Sequence, residues 1–183
     1  MVSVHYTVTR PGVPNIGLSG NQDVTVDAIT ITPDAPDYER GPTAPEDWVN
    51  CASLYEDPED PQPLEPAIRI LVPDLSEYAL QAGAVVTMHW QAFQGAADTP
   101  LPEADKIEPI ELGDDYPVTG FTWYVQPYDE HILPIYVRND PAGSAKITYA
   151  FEYQGKQVTS EVLEIIVGMY TPGGSCPIPP TRK

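Results

Sequence analysis

Basic residues are scarce in this chain: its 183 residues include 9 Lys and Arg against 27 Asp and Glu, for a net charge of −18. Nucleic acids and anionic membrane surfaces attract proteins through clustered Lys and Arg, so this balance argues against both partners. Long apolar runs are also missing. No stretch approaches the ~20 apolar residues of a membrane helix, so we expect no membrane insertion. The N-terminus alternates apolar and polar residues and has no signal-peptide core.

Cysteine and histidine are scarce as well. The two cysteines, Cys51 and Cys176, both lie in Pro-rich connecting segments, and the sequence leaves open whether they pair. The 3 histidines are not at a recognised spacing for zinc or for a nucleophilic triad. The adjacent carboxylates Asp114 and Asp115 would suit glycoside chemistry, but such pairs arise by chance in a chain with 27 acidic residues. We therefore expect a non-catalytic protein without a cofactor.

Proline is abundant, and its 22 residues exclude many long helices because an interior Pro removes a hydrogen bond and clashes with the preceding turn. Short segments of alternating apolar and polar residues, separated by Gly-, Pro- and Asp-rich turns, predict β-strands instead. In residues 84–93, Val86, Met88, Trp90 and Ala92 fall on one face, and Thr87, His89 and Gln91 on the other. This spacing of strands and turns predicts an all-β sandwich.

The two ends of the chain share one pattern. Residues 2–12 align without a gap with residues 145–155, and each segment is followed by a second alternating segment. We interpret the first hairpin as the end of a preceding module. The predicted domains are a terminal hairpin (1–28), a Pro-rich acidic linker or entry segment (29–66), a sandwich (67–169) and a tail (170–183). The apolar positions Val4, Tyr6 and Val8 would need a cover, which a strand-exchanged homodimer would supply.

Three segments resemble the immunoglobulin-like repeats of large bacterial surface and secreted proteins of the adhesin and invasin kind. They are residues 82–93 (AGAVVTMHWQAF), residues 120–127 (GFTWYVQP) and the closing hairpin with Tyr149. The resemblance implies an immunoglobulin-like antiparallel β-sandwich, an extracellular or cell-surface location, and a structural or adhesive role that spaces domains and presents loops for protein or glycan contact. The chain lacks the cysteine pair that joins the sheets of antibody domains. The alternative is a carbohydrate- or receptor-binding domain of a toxin, bacteriocin or enzyme.

Loop residues supply the candidate sites. Calcium prefers carboxylate oxygens, which acidic segments between extracellular domains can supply. The calcium candidates are Asp27, Asp34, Asp37 and Glu39, with Asp129, Glu130 and Asp140 as a second set. Tyrosines in loops or near strand ends suit contact with a sugar or a protein. These candidates are Tyr116, Tyr128 and Tyr136, together with Tyr55 and Tyr170. The sequence does not identify the protein or glycan partner.

Overall fold

A computed structural model describes residues 2–4, 22–24, 31–40, 48–54, 66–138, 140, 142–171 and 174–176. The chain divides into two compact units, Met1–Ile31 and Thr32–Lys183. In the first unit, β1 (Val2–Val4) pairs antiparallel with β2 (Gln22–Val24). The predicted apolar positions Tyr6 and Val8 lie outside the described residues.

The larger unit contains two main sheets. The larger sheet has seven strands: β4 (Trp48–Asn50), β6 (Val85–Gln94), β7 (Thr99–Pro100), β8 (Lys106–Glu111), β10 (Gly143–Tyr153), β11 (Lys156–Thr159) and β12 (Leu163–Gly168). Their order is β4–β12–β10–β6–β7, with β11 also pairing with β10 and β8 with β6. The smaller sheet has the order β3 (Asp37–Tyr38), β5 (Ile68–Val72), β9 (Phe121–Val125). The pair β4–β12 is parallel, and the other pairs are antiparallel.

Helices are short connections between these strands. A four-residue helix, α1 (Tyr128–His131), follows β9. The 3₁₀ turns are Cys51–Leu54, Ser76–Tyr78, Pro102–Ala104 and Leu133–Ile135. A small hairpin of β13 (Tyr170–Thr171) and β14 (Gly174–Ser175) follows the larger sheet. In the described part of the chain, no helix is long and apolar enough to cross a membrane.

The two sheets pack against each other through their apolar faces. The alternation predicted on β6 is confirmed, because Val86, Met88, Trp90 and Ala92 are buried and the residues between them are only half-buried. The inward residues of β5 and β9 in the smaller sheet are buried in the same cluster. Burying each large apolar side chain contributes about 1.5–3 kcal/mol. The larger unit is therefore an all-β structure of two packed layers, as the alternation predicts.

The predicted linker takes part in both sheets. Tyr38 is 3% exposed and its strand pairs with β5, while Val49 is fully buried and its strand pairs with β12. The Tyr149 hydroxyl donates a 2.8 Å hydrogen bond to the Asp34 carbonyl oxygen, which ties this segment to β10. The larger unit begins at Thr32, whereas the sequence places the start of the sandwich at residue 67. Strands of two or three residues are too short to show an alternation, so the sequence does not show which strands they pair with.

A disulfide joins Cys51 to Cys176, whose Cα atoms lie 5.5 Å apart. The bond connects the residue after β4 with the residue after β14, across a sequence separation of 125. The sequence left this pairing open. Because β4 is a three-residue edge strand, the disulfide gives it a covalent anchor that its few hydrogen bonds do not provide.

Candidate functional site

Two of the described calcium candidates, Asp37 and Glu39, have neighbouring partners. The Asp37 carboxylate accepts a 2.8 Å hydrogen bond from the Tyr38 N–H. The Glu39 carboxylate pairs with the buried Arg69 guanidinium. Among the described residues, no group of three or more His, Cys, Asp or Glu is arranged to hold a metal ion. Asp27 lies outside these residues, and the calcium site remains a prediction.

The three candidate binding tyrosines do not form one surface. Tyr128 is 7% exposed and belongs to the core. Tyr116 is half-buried and packs edge-on against Phe121, with ring centroids 5.4 Å apart. Tyr136 is also half-buried. Because Tyr116 precedes β9 and Tyr128 follows it, the two residues lie at opposite ends of that strand.

The candidate acid–base residues are dispersed. Asp114 and Asp115 are both exposed in a bend between β8 and β9. His131 lies on α1, with its Nδ1 atom 3.1 Å from the Ala104 carbonyl oxygen. His89 is half-buried on the outward side of β6, and His5 lies outside the described residues.

A polar cluster of Lys106, Glu108 and Trp123 links the edges of the two sheets. The Trp123 Nε1–H donates a 2.7 Å hydrogen bond to Glu108 Oε2, and Lys106 Nζ lies 2.9 Å from the same oxygen. Partial burial raises the pKa of Glu108. The hydrogen bonds from Lys106 and Trp123 and the positive charges of Lys106 and His131 outweigh that effect and hold the pKa below its usual range. Glu108 is therefore an ionised acceptor that connects β8 to β9.

The same cluster protects two strand edges. Lys106 Nζ donates a 3.0 Å hydrogen bond to the Tyr124 carbonyl oxygen, which β9 would otherwise offer to an added strand. On β8, Pro109 has no backbone N–H to donate, and such residues are typical of protected edges. This side of the sandwich is therefore poorly suited to strand addition.

The outward side of the larger sheet is a regular surface that spans several strands, and we call it the outer sheet face. The strand register aligns His89 with Thr148 on one side and with Ile107 on the other, and aligns Ile166 with Trp48. The face comprises Thr87, His89, Gln91 and Phe93 on β6, Lys146, Thr148 and Ala150 on β10, Ile107 and Pro109 on β8, Glu164 and Ile166 on β12, and Trp48 on β4. Ile107 is 66% exposed, and most of the others are half-buried.

This face is electrically neutral in a chain of net charge −18. Its two charged residues, Lys146 and Glu164, are register partners whose Nζ and Oε2 atoms lie 3.8 Å apart. Lys146 Nζ also lies 5.1 Å from the centroid of the Phe93 ring. Acidic residues stand beyond the face, at Glu111 and Glu152 on the ends of β8 and β10. At the other end, Asp98 accepts a 2.7 Å hydrogen bond from Ser144, which aligns with Phe93 and Ile166. The strand residues of the face thus have no net charge and are bordered by acidic residues at both ends.

Aromatic side chains occupy one corner of the outer sheet face. A Cβ atom on Gly168 would lie 3.1 Å from a Trp48 ring carbon and 3.3 Å from a Tyr170 ring carbon, so both rings cover the glycine. Tyr170 is 40% exposed. Interfaces are enriched in aromatic residues. The sequence assigns Trp48 to an apolar patch within the linker or entry segment, and Thr87, His89 and Gln91 to the outward side of their strand. The signal that could indicate this surface is the neutral character of the outward positions.

Comparison of the chain with protein-family models, with curated proteins and with solved structures gave no match.

Proposed function

We propose that the larger unit is a non-catalytic, immunoglobulin-like module of a larger bacterial surface or secreted protein, where it spaces neighbouring parts and adheres through a protein contact. The observation that carries this proposal is the neutral outer sheet face with its aromatic corner. Contact surfaces contain few charges at their centre and have polar rims, and this face has the same arrangement.

The strand order supports the immunoglobulin-like part of the proposal. In that fold the first, second, fourth and fifth strands share one sheet, and the third, sixth and seventh share the other. Here the strand before β9, β8, pairs with β6 instead, which departs from that arrangement. The sheet β3–β5–β9 corresponds to the first group, and β6, β10 and β12 to the second. Trp90 is fully buried on β6, the strand on which immunoglobulin domains carry their buried Trp. The disulfide supports an oxidising, extracellular location.

A bead-attachment experiment tests the adhesive role. Beads carry the wild-type chain, a Thr148→Glu variant in the centre of the outer sheet face, or a Thr119→Glu variant in an exposed turn. Attachment of the beads to one another and to surfaces coated with extracellular proteins is measured. We expect attachment by the wild type and Thr119→Glu, and at least about tenfold weaker attachment by Thr148→Glu, because an unpaired carboxylate is costly in a contact. Equal attachment by all three, or none, would contradict the proposal.

Glycan binding is the second candidate, and the aromatic corner favours it. Sugar rings stack on aromatic side chains, and Trp48 and Tyr170 lie side by side over Gly168. On a glycan array, Trp48→Ala would abolish binding while Tyr124→Ala, on the outward side of the smaller sheet, would preserve it. Binding that survives Trp48→Ala would exclude this corner as the glycan site.

A further inference from the structure

We propose that the outer sheet face is the interface of a symmetric homodimer, in which the faces of two copies of this chain pack against each other. The inference rests on the proposed function, because it names the occupant of the same face. Strand exchange is not involved, so the contact differs from the hairpin swap that the sequence suggests.

The arrangement of charge on the face is self-complementary. Lys146 and Glu164 lie next to each other on neighbouring strands, with 3.8 Å between Nζ and Oε2. A two-fold axis beside this pair would bring Lys146 of one copy opposite Glu164 of the other, and the reverse. The other strand residues of the face carry no charge, and the nearest acidic group is Asp98, whose carboxylate accepts a 2.7 Å hydrogen bond from Ser144 between Phe93 and Ile166. A strongly basic partner would instead be drawn to the acidic rim, so a second copy fits the face better.

The dimensions of the face suit a weak dimer. Strands β4, β12, β10, β6 and β8 lie side by side, which at about 4.8 Å per strand gives a width of ~24 Å. β10 and β6 align over eight residue pairs, which gives a length of ~26 Å at about 3.3 Å per residue. The other strands are shorter, because β8 aligns over six residue pairs, β12 over five and β4 over three. About 30 residues at about 16 Å² each give a footprint of ~480 Å² per copy and ~960 Å² in total, which is in the range of weak, transient interfaces.

The protected edges favour face packing over edge pairing. Lys106 Nζ donates a hydrogen bond to the Tyr124 carbonyl oxygen on β9, and Pro109 leaves β8 without a backbone N–H at its position. Two copies that meet on this side of the sandwich therefore find few free backbone groups to pair. The neutral face beside this edge has no such protection, and Ile107 extends the apolar surface toward it.

The net charge predicts an unusual salt dependence. Two copies, each with a net charge of −18, repel each other although their faces are neutral. Raising the salt concentration from about 0.01 M to about 1 M shortens the screening length from about 30 Å to about 3 Å and removes this repulsion. We expect dimerisation to strengthen with salt, whereas an interface held by exposed ion pairs between oppositely charged surfaces would weaken.

Analytical ultracentrifugation of the full chain tests the proposal. The wild type is expected to be largely monomeric at about 0.01 M salt and to form a dimer, without higher oligomers, at about 1 M. Thr148→Glu is expected to weaken dimerisation at least about tenfold, and the matched Thr119→Glu variant in an exposed turn is expected to behave as the wild type. Thermal midpoints show whether each variant remains folded.

A charge-reversal pair provides an independent test that does not depend on Thr148. Lys146→Glu and Glu164→Lys alone should each dimerise more weakly than the wild type at the same salt concentration, because both copies then bring like charges together. An equimolar mixture should form a heterodimer, since both cross-pairs regain opposite charges.

Three outcomes would contradict the dimer. They are a wild type that stays monomeric at every salt concentration, a Thr148→Glu variant that dimerises normally, and a mixture without heterodimer. If the chain is monomeric and its bead attachment still depends on Thr148, only the dimer is contradicted and the proposed function stands. If the chain is monomeric and bead attachment does not depend on Thr148, both proposals are contradicted.

Discussion

Glu108 shows how one side chain can link two sheets. It accepts hydrogen bonds from Trp123 on β9 and from Lys106 on its own strand, and these contacts overcome the cost of its partial burial. Trp123 is 2% exposed, so its indole N–H has little access to water. The carboxylate therefore satisfies a donor that the core would otherwise leave unpaired.

A pair of substitutions at Glu108 separates its charge from its hydrogen bond. Glu108→Gln keeps an acceptor for Trp123 and removes only a partly exposed charge, so we expect a loss of less than about 1 kcal/mol. Glu108→Ala leaves the indole N–H without its acceptor and should cost about 1–3 kcal/mol. Urea unfolding followed by tryptophan fluorescence measures both changes. Equal losses for the two variants would show that the charge, and not the hydrogen bond, stabilises this edge.

Tyr78 couples stability to alkaline pH. Burial, a hydrogen bond with Glu77, and the negative charges of Glu77 and Asp34 raise the pKa of Tyr78 to about 12. In the unfolded chain a tyrosine ionises near pH 10. The folded state therefore favours the neutral phenol, and this contribution to stability is complete below about pH 10 and is lost as the pH rises toward 12.

Tyr78→Phe tests this coupling because phenylalanine cannot ionise. We expect the free energy of unfolding of the wild type to fall more steeply than that of the variant between about pH 9 and pH 11.5. Phenylalanine can keep the packing against Phe151, whose ring centroid lies 5.0 Å from that of Tyr78. Urea unfolding at each pH gives both curves. Parallel curves would show that Tyr78 ionises equally in the folded and unfolded states.

At the scale of elements, long strands were predictable and short ones were not. Apolar and polar residues alternate along most of β6, and this two-residue period identifies both the strand and its buried face. β3 and β4 have two and three residues, in Pro-rich surroundings that predict a linker or entry segment, within which the apolar residues 48–55 indicate docking on a neighbouring domain or a short strand. Their places in the sheets depend on partners that are distant in sequence, β5 and β12, so no local pattern reports them.

Gly143 is the first residue of β10, and its Cα lies close to the backbone of β6. A Cβ atom at this position would collide with the Phe93 carbonyl oxygen and lie 2.7 Å from the Ile135 Cγ2 atom. Because a backbone oxygen cannot move without displacing β6, we expect Gly143→Ala to lose about 1–3 kcal/mol of stability. Gly113→Ala is the matched control, since nothing lies within 4 Å of its added carbon. Thermal unfolding compares them, and similar midpoints would argue against this close approach.

The disulfide secures the weakest strand of the larger sheet. β4 is short and lies at the edge, and Cys51 directly follows it. Since the bond closes a long loop, replacing both cysteines by serine should cost about 2–5 kcal/mol. In this double variant, hydrogen exchange should be faster at the Val49 amide than at amides in β6. A double variant with wild-type stability and unchanged exchange at Val49 would show that the sheet contacts suffice.

At the scale of the whole molecule, the proposed contact surface was harder to predict than the layers. The sequence pointed to loop tyrosines, but Tyr128 is needed in the core, and Tyr116 packs on Phe121. The outer sheet face combines residues from five strands that span Trp48 to Ile166, and its neutrality emerges only when the strands are aligned. Composition reports the average charge of a chain and not its distribution over a surface.

The division of the chain predicts that the larger unit is stable without the first. Residues Met1–Ile31 form a compact unit of their own, so deleting them should shift the thermal midpoint of Thr32–Lys183 by less than about 2 °C, which is under about 1 kcal/mol for a domain of this size. Calorimetry of the full and shortened chains provides the measurement. If the hairpin covered part of the sandwich core, its removal would expose apolar surface and lower the midpoint by more than about 5 °C. That outcome would make the chain one folding unit, and residues 1–31 a part of the sandwich.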